Sequence, residues 1–324
     1  MLNFCTLFDS NYLSRGLAMY YSLKQHCKNF HLFVFAFNDL SYKILKDLNL
    51  QNLTVISLKE FESPDLLKVK PTRTTAEYCW TSTPSTIDFV LNNFNVDNCT
   101  YIDADLIFYQ NPEILIKELN KDKNIIITEH RYAKTTNLYE QNRAGRFCVQ
   151  FVTFTKDEDS KMVLKTWQNQ CLDWCFARYE DGKFGDQKYL DIWPEKYPNV
   201  HIMEHLGGGL APWNVNNYKF NFENNQLKGI DKKNGTPFNP IFYHFHFVRF
   251  YNDNTIDIGW HVIPTLVKNK IYKPFINELL QIESDLKNKY PEYKPYFYKK
   301  NLSDIKEIVK HWFKKVTKYN LIKL

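Results

Sequence analysis

The apolar positions of the first 155 residues fall in short runs separated by longer amphipathic stretches. NFCTLF (3–8), HLFVFAF (31–37), LTVISL (53–58), CTYIDAD (99–105) and NIIITEH (124–130) are rich in β-branched and aromatic residues and predict strands. Helix-length stretches lie between them, at roughly 12–27, 40–48, 75–93 and 111–120. Strand–helix alternation of this kind predicts an α/β fold with a Rossmann-like, mostly parallel central sheet covered on both faces. The second half is less regular. It predicts a strand at 146–155, a helix at about 157–176, a Gly-rich turn at 207–209, a strand at 241–248 and a helical C-terminal region. In an open α/β sheet, ligands bind beyond the carboxyl ends of the strands. Asp9, Asp103 and Asp105 all fall at such ends.

Composition changes this picture in three places. The chain has 324 residues, 44% apolar and 24% charged, which is a folded globular composition. It contains no uncharged apolar run of about 18 residues, the length a membrane-spanning helix needs. The N-terminus MLNFCTLFDSNY meets Asp9 early and reads as the first strand, not as a leader. The seven cysteines include no Cys-x-x-Cys pair, and Cys171 and Cys175 are spaced for one helix face. A thiol pair or half a metal site would fit there; reduced core cysteines of a cytoplasmic protein are the plainer expectation.

Charge is unevenly placed. From Lys299 to Leu324 there are eight lysines and two acids, 8 − 2 = +6, against +6 for the whole chain. The rest is nearly neutral, so no nucleic-acid-binding face is expected on the main domain. From Ser303, a good N-cap, the residues Ile305, Ile308, Val309, Trp312, Phe313 and Val316 recur at helical spacing. Lys306, Lys310, Lys314, Lys315 and Lys318 fill the remaining surface. A basic helix with Trp and Phe on its apolar face suits an anionic membrane surface. The alternative is an apolar face packed on the main domain with solvated lysines.

The segment YIDADLIFYQNP (101–112) carries the strongest candidate chemistry. Residues i and i+2 of a strand point to the same side, so Asp103 and Asp105 can present two carboxylates to one point. Two such anions repel unless a cation sits between them, and hard oxygen ligands suit Mg²⁺ or Mn²⁺. A strand-end pair capping the next turn is the structural alternative. His244 and His246 in FYHFHF would add imidazole nitrogen to the set, or would simply occupy a half-exposed strand face.

Four segments in order resemble the nucleotide-sugar-dependent glycosyltransferases of GT-A fold, in particular the family 8-like group. YIDADLIFYQNP resembles their Asp-x-Asp segment, and CTLFDSNYLSRGLAMYYSL their opening strand, nucleotide-binding turn and first helix. KFGDQKYLDIWPEKYPNVHIMEHLGGGLAPWNV (183–215) is similar to their second signature, and FYHFHF to their late metal-histidine strand. The resemblance covers residues 3 to 250 and implies a bacterial enzyme. It implies that Asp9, Asn11 and Tyr12 bind the nucleoside, with uracil hydrogen-bonded by the Asp or Asn and stacked on the Tyr ring. It further implies that Asp103 lies near the ribose and metal, that Asp105 and His244 ligate the metal, with His246 on the same side, and that Asp186 and Gln187 face the transferring sugar. Helix capping is the competing role for Asp9 and its neighbours and for Asp186. Arg73 or Lys70 would reach a phosphate or orient Asp105. In HLGGGLAPWN, the glycines permit close backbone approach, Trp213 offers a face to a sugar ring and Asn214 can bond hydroxyls; a buried Trp beside a tight loop is the other reading.

The chain departs from the family twice. RFCVQFVTF (146–154) carries Cys148 and Gln150 where relatives have an Asn-x-Gly for sugar contact. After His244, the Gly and Lys-Pro-Trp of the family pattern are missing, so the usual lysine on the donor diphosphate is absent or comes from elsewhere. The expectation is a GT-A domain over 1–262 with a helical extension over 263–324. It would move a sugar from a UDP-sugar to a glycan or glycolipid acceptor in bacterial surface polysaccharide or lipooligosaccharide synthesis, at the inner face of the membrane. A non-catalytic nucleotide-sugar-binding module is the rival. A sugar-1-phosphate nucleotidyltransferase would need a Gly-rich, Arg-containing loop after the first strand, which FDSNYLSRG is not.

Overall fold

The structure is a computed structural model that describes residues 1–298 except 225, together with 309, 312–314, 316–317 and 319–323. Eight strands come first: β1 Leu2–Phe8, β2 Phe30–Ala36, β3 Leu53–Ser57, β4 Asn98–Ile102, β5 Leu106–Phe108, β6 Ile125–Glu129, β7 Phe147–Thr155 and β8 Val200–Ile202. All but β5 form the central sheet, in the order β3-β2-β1-β4-β7-β6-β8. β7 runs antiparallel to both neighbours, β4 and β6, and every other adjacent pair is parallel. The mostly parallel α/β sheet is therefore the one the alternation predicts. Its carboxyl edge gathers the residues after β1, β4 and β6 and the first residues of the reversed β7.

Six longer helices are α1 Leu13–His26, α2 Asp39–Leu48, α3 Thr75–Asn93, α4 Leu138–Ala144, α5 Glu158–Asp173 and α6 Lys273–Lys289. Local chemistry sets their ends. Asn38 caps α2 by accepting from the Ser41 N–H. Thr74 and Glu77 close a capping box on α3. The expected helix at 111–120 is reduced to one turn, Glu113–Ile116. The chain beyond it tightens into i→i+3 bonds, from Glu118 N–H to the Leu115 carbonyl and from Leu119 N–H to that of Ile116.

Two apolar layers cover the sheet. One packs α1 and α6 with β5 and reaches from Phe4 to Tyr293. The other packs α3 and α5 on the opposite face around Trp167 and Trp193. Trp167 also donates its indole N–H to the Asp186 carbonyl at 2.9 Å, so the core fixes the segment that carries Asp186. All seven cysteines are free thiols, six of them buried.

The remaining strands are β9 Tyr218–Glu223, β10 Gln226–Asp231, β11 Pro237–Phe238, β12 Phe242–His244, β13 Arg249–Phe250, β14 Thr255–Asp257 and β15 Leu321–Lys323. β12 pairs with β5, placing His244 opposite Leu106. It is shorter than the expected 241–248, because Phe247 turns the chain with φ +63°.

The C-terminal residues fold back on the domain. β15 joins β13 and β14 in a three-stranded sheet. Lys314, expected on the solvated surface, is instead buried: its ammonium lies 2.5 Å from Asp257 and 2.8 Å from the Gly259 carbonyl. A buried ammonium needs such partners, and Asp257 supplies a carboxylate. Val309, Trp312 and Val316 are 56–65% exposed, while Phe313 stacks on the Trp260 ring, which the Lys314 ammonium also meets. Ser303, Ile305, Lys306, Ile308, Lys310, Lys315 and Lys318 lie outside the described residues. Among the described residues no helix is long and apolar enough to cross a membrane.

The buried pair has a measurable consequence. Lys314→Ala strands the Asp257 carboxylate and should cost about 3 kcal/mol in denaturant unfolding. Lys43→Ala, at a pair whose lysine side chain is 70% exposed, should leave the midpoint essentially unchanged. Equal effects of the two would contradict the burial of Lys314.

Candidate functional site

The site is assembled at the carboxyl edge of the sheet. β4 delivers Asp103 and, one turn later, Asp105; β12 brings His244 against them. One ligand atom from each of these three residues can be chosen so that all lie within 4.8 Å of one another. His244 Nε2 stands 3.1 Å from Asp105 Oδ1 and 3.6 Å from Asp103 Oδ2. The backbone locks this pairing: Asp105 accepts from the Phe245 N–H at 3.0 Å, and the His244 N–H donates to Leu210 at 2.8 Å. On the far side of the ring, His244 Nδ1 bonds Gln150 Oε1 at 2.8 Å. That bond aims Nε2 at the carboxylates, as an outer partner does for a metal-binding imidazole.

Electrostatics follow from this packing. Burial, aided by the Asp105 charge and opposed by His244, raises the Asp103 carboxyl to about 6. Burial also works against ionising Asp105, yet the His244 charge outweighs it and holds that carboxyl below its ordinary value. His244 shows the reciprocal balance, its burial overcome by Asp105, and is raised well above the usual imidazole range. In this state an imidazolium serves as the cation between two carboxylates. The two oxygen ligands and one imidazole nitrogen also fit Mn²⁺ or Mg²⁺ by donor chemistry, with a proton leaving His244 as the metal enters.

His246 is not part of this cluster. Its ring lies 5.9 Å from that of His244 and its side chain is exposed. Strand alternation, which would have kept the two on one side, ends at His244. Trp213 is also placed otherwise than an open sugar platform: it is 5% exposed, edge-on to the rings of His130, His244, His246 and His261 at 5.1–6.4 Å. Asn214 is wholly buried and its amide holds the loop, donating to the carbonyls of His130 and Gly209 and accepting from the Ala211 N–H. Two loop glycines are required here. A methyl on Gly207 would strike the Asn239 carbonyl, and Gly209 has φ +77°.

Beside the cluster, the turn after β1 holds Asp9, Asn11 and Tyr12. Both Asp9 oxygens accept from Asn11, from its N–H and its amide at 2.9 Å each. Asp9 therefore closes the turn and does not cap α1, whose N-cap is Tyr12 without a side-chain bond. Burial, then the Asp105 charge, push the Tyr12 phenol well up, placing it near the cluster.

Asp186 lies behind Asp103. Burial and the Asp103 charge raise its carboxyl to about 8, so it stands protonated near neutrality. It caps no helix: the following helical turn has Gln187 as N-cap. Gln187 donates its amide to the Ala144 carbonyl at 2.7 Å, at the end of α4. Arg73 and Lys70 are engaged elsewhere. Arg73 Nη2 donates to the Leu172 carbonyl at 3.2 Å and its guanidinium stacks 3.9 Å from the Phe176 ring, while Lys70 pairs with Glu62 at 2.5 Å. Both serve the packing of the α5 end and its neighbours.

Residues with no motif complete the surroundings. Gln150 sits where the family pattern fails, yet orients His244. His130 Nδ1, Tyr132 Oη, Gln150 Nε2 and Trp213 Nε1 are buried without a hydrogen-bond partner among the described residues. Their rings and side chains border the cluster, His130 stacked on Tyr132 at 4.6 Å. Their only sequence signal is polarity inside apolar runs. Arg15, in the first turn of α1, is 4% exposed and lies 4.7 Å from the Tyr12 ring.

Comparison with protein-family models gives no match. Among solved structures, the glycosyltransferase GlyE of Streptococcus pneumoniae TIGR4 superposes with a TM-score of 0.50 at 12% identity, over 92% of this chain and 66% of its own. An active-site mutant of LgtC gives 0.50 at 11% identity, over 83% of this chain and 100% of its own. These likenesses establish the GT-A fold. Two curated relatives come from Bacillus subtilis strain 168. YfnD is 28% identical over 304 residues, covering 92% of this chain and 95% of its own length. YfnF is 30% identical over 285 residues, covering 86% and 90%. Both are uncharacterised, and at that identity and coverage the chain belongs to the family of YfnF and YfnD on the GT-A fold.

Proposed function

We propose that the protein is a divalent-metal-dependent glycosyltransferase that moves a sugar from a nucleotide-sugar, in particular a UDP-sugar, to a glycan or glycolipid acceptor of bacterial surface polysaccharide or lipooligosaccharide synthesis. The observation that carries this reading is the Asp103–Asp105–His244 cluster at the carboxyl edge of a GT-A sheet. Asp103, Asp105 and His244 would hold Mn²⁺ or Mg²⁺. A bound cation would supply positive charge to the diphosphate oxygens as the bond to the anomeric carbon breaks. Tyr12, Asp9 and Asn11 would take the nucleoside. Protonated Asp186 can donate to a sugar hydroxyl, and Gln187 would face the anomeric centre. The unpaired polar atoms of His130, Tyr132, Gln150 and Trp213 would meet further sugar groups. The exposed Val309, Trp312 and Val316 would rest on the anionic inner membrane.

The first test is slow donor hydrolysis. With Mn²⁺ and a panel of UDP-, GDP- and CDP-sugars but no acceptor, the UDP-sugars should turn over. Asp105→Asn should cut the rate by about a hundredfold or more with the melting point preserved. Binding without turnover for every donor would favour a non-catalytic module, and full activity in EDTA would remove the metal.

A second test uses the raised Asp186 carboxyl. Because the folded state holds this proton up to about pH 8, and an unfolded Asp releases it near 3.9, the stability it contributes is lost as pH climbs between those values. Asp186→Asn should therefore melt increasingly above wild type from pH 5 to pH 9. A pH-independent difference would refute the buried, protonated state.

The membrane contact is tested by charge on exposed positions. Trp312→Glu and Val316→Glu should abolish co-sedimentation with anionic vesicles at low salt while leaving the melting point unchanged. Wild type that stays in solution would overturn the contact.

A further inference from the structure

The donor diphosphate is a dianionic group, and the family pattern's lysine for it is missing after His244. Among the described residues, the cations near the cluster differ in how far they are already engaged. Arg131 donates to the carbonyls of Leu206 and Gly208. Arg249 lies against the rings of Phe247 and Tyr298, 3.8 and 4.5 Å from their centroids. Arg73 and Lys70 are held at the α5 end and by Glu62, as above.

Arg15 is different. It is 4% exposed, and no carboxylate lies within 4.0 Å of it among the described residues. Of its five N–H donors, one makes a bond among the described residues, from Nη2 to the Val248 carbonyl at 2.7 Å. The rings of Tyr12 and Phe250 flank the guanidinium at 4.7 and 5.8 Å. A buried guanidinium with no carboxylate in contact is costly, and the cost is relieved when an anion joins it. Its place is equally telling. Arg15 stacks beneath the ring proposed for the base and bonds the chain four residues past His244, so it bridges the nucleoside turn and the metal strand. The diphosphate of a bound nucleotide-sugar must run between those two points. Arg15 also sits in the first turn of the 14-residue α1, whose N-terminal dipole favours the same charge.

We propose that Arg15 grips the diphosphate of the nucleotide-sugar, replacing from α1 the lysine that the late strand lacks. This rests on the glycosyltransferase reading. The planar fork of an arginine suits two oxygens of one phosphate or one from each. Arg15 would thereby link donor binding to the loop after β12, through its bond to Val248.

Calorimetry with Mn²⁺ tests this on the full chain, with UDP, GDP and CDP and the matching nucleosides uridine, guanosine and cytidine. Wild type should bind one diphosphate far better than its nucleoside. Arg15→Gln should weaken that diphosphate about tenfold to a hundredfold and leave its nucleoside unchanged. Arg15→Lys keeps the charge and guards against loss of the fold; it should melt near wild type and weaken the diphosphate alone, by less than Arg15→Gln. Equal loss of diphosphate and nucleoside in Arg15→Lys would make Arg15 a purely structural residue and overturn the inference, as would an unchanged diphosphate affinity in either folded variant. Wild type that binds none of the three diphosphates would instead contradict the glycosyltransferase reading itself.

Discussion

Two carboxylates brought to one buried point repel each other, and this fold is arranged so that they must meet. Asp103 and Asp105 cannot separate, because β4 and β5 hold the chain on either side of them. The structure answers the repulsion with His244, close enough to both to hold its own proton tightly. The same geometry that makes His244 an imidazolium would let it serve as a metal ligand once that proton leaves. Much of the edge depends on this arrangement: Gln150 turns the ring, Trp213 walls it, and the glycine loop brings Leu210 to the His244 N–H. Asp186 feels the cluster from behind and keeps its proton.

The C-terminal residues belong to the same construction. Lys314 reaches into the domain to Asp257, and Asn320 ties the carbonyls of Gly259 and His261. His261 in turn lies 3.3 Å from Glu140 on α4, the helix that also receives Gln187 at its end. A chain of short polar contacts thus runs from the tail to the segment facing the proposed sugar pocket. Lys314 is buried there while Trp312 and Val316 are exposed.

The sheet was legible because strand and helix periods alternate through residue 155. The metal candidates Asp103, Asp105 and His244 were legible because a two-residue spacing at a strand end is a local property. Where His246 would lie relative to them was not legible, because the end of β12 at His244 and the turn at Phe247 depend on tertiary packing. Lys314 was expected in solvent because helical spacing alone cannot reveal that a carboxylate from β14 waits behind it. Gln150, Arg15, His130 and Tyr132 carried no motif, only polarity among apolar neighbours. Gln150 acquires its role only across 94 residues, at His244, and Arg15 across 233, at Val248.

Asp103, Asp105 and His244, with Gln150 orienting the imidazole, would hold one divalent cation. The most direct measurement is electron paramagnetic resonance of Mn²⁺ titrated with the protein near neutral pH in the presence of UDP. Wild type should quench the free-ion signal with one site per chain. Asp105→Asn and His244→Ala should abolish that site, and Gln150→Leu should weaken it by about tenfold or more. Unaltered Mn²⁺ binding in His244→Ala and Asp105→Asn would contradict the account.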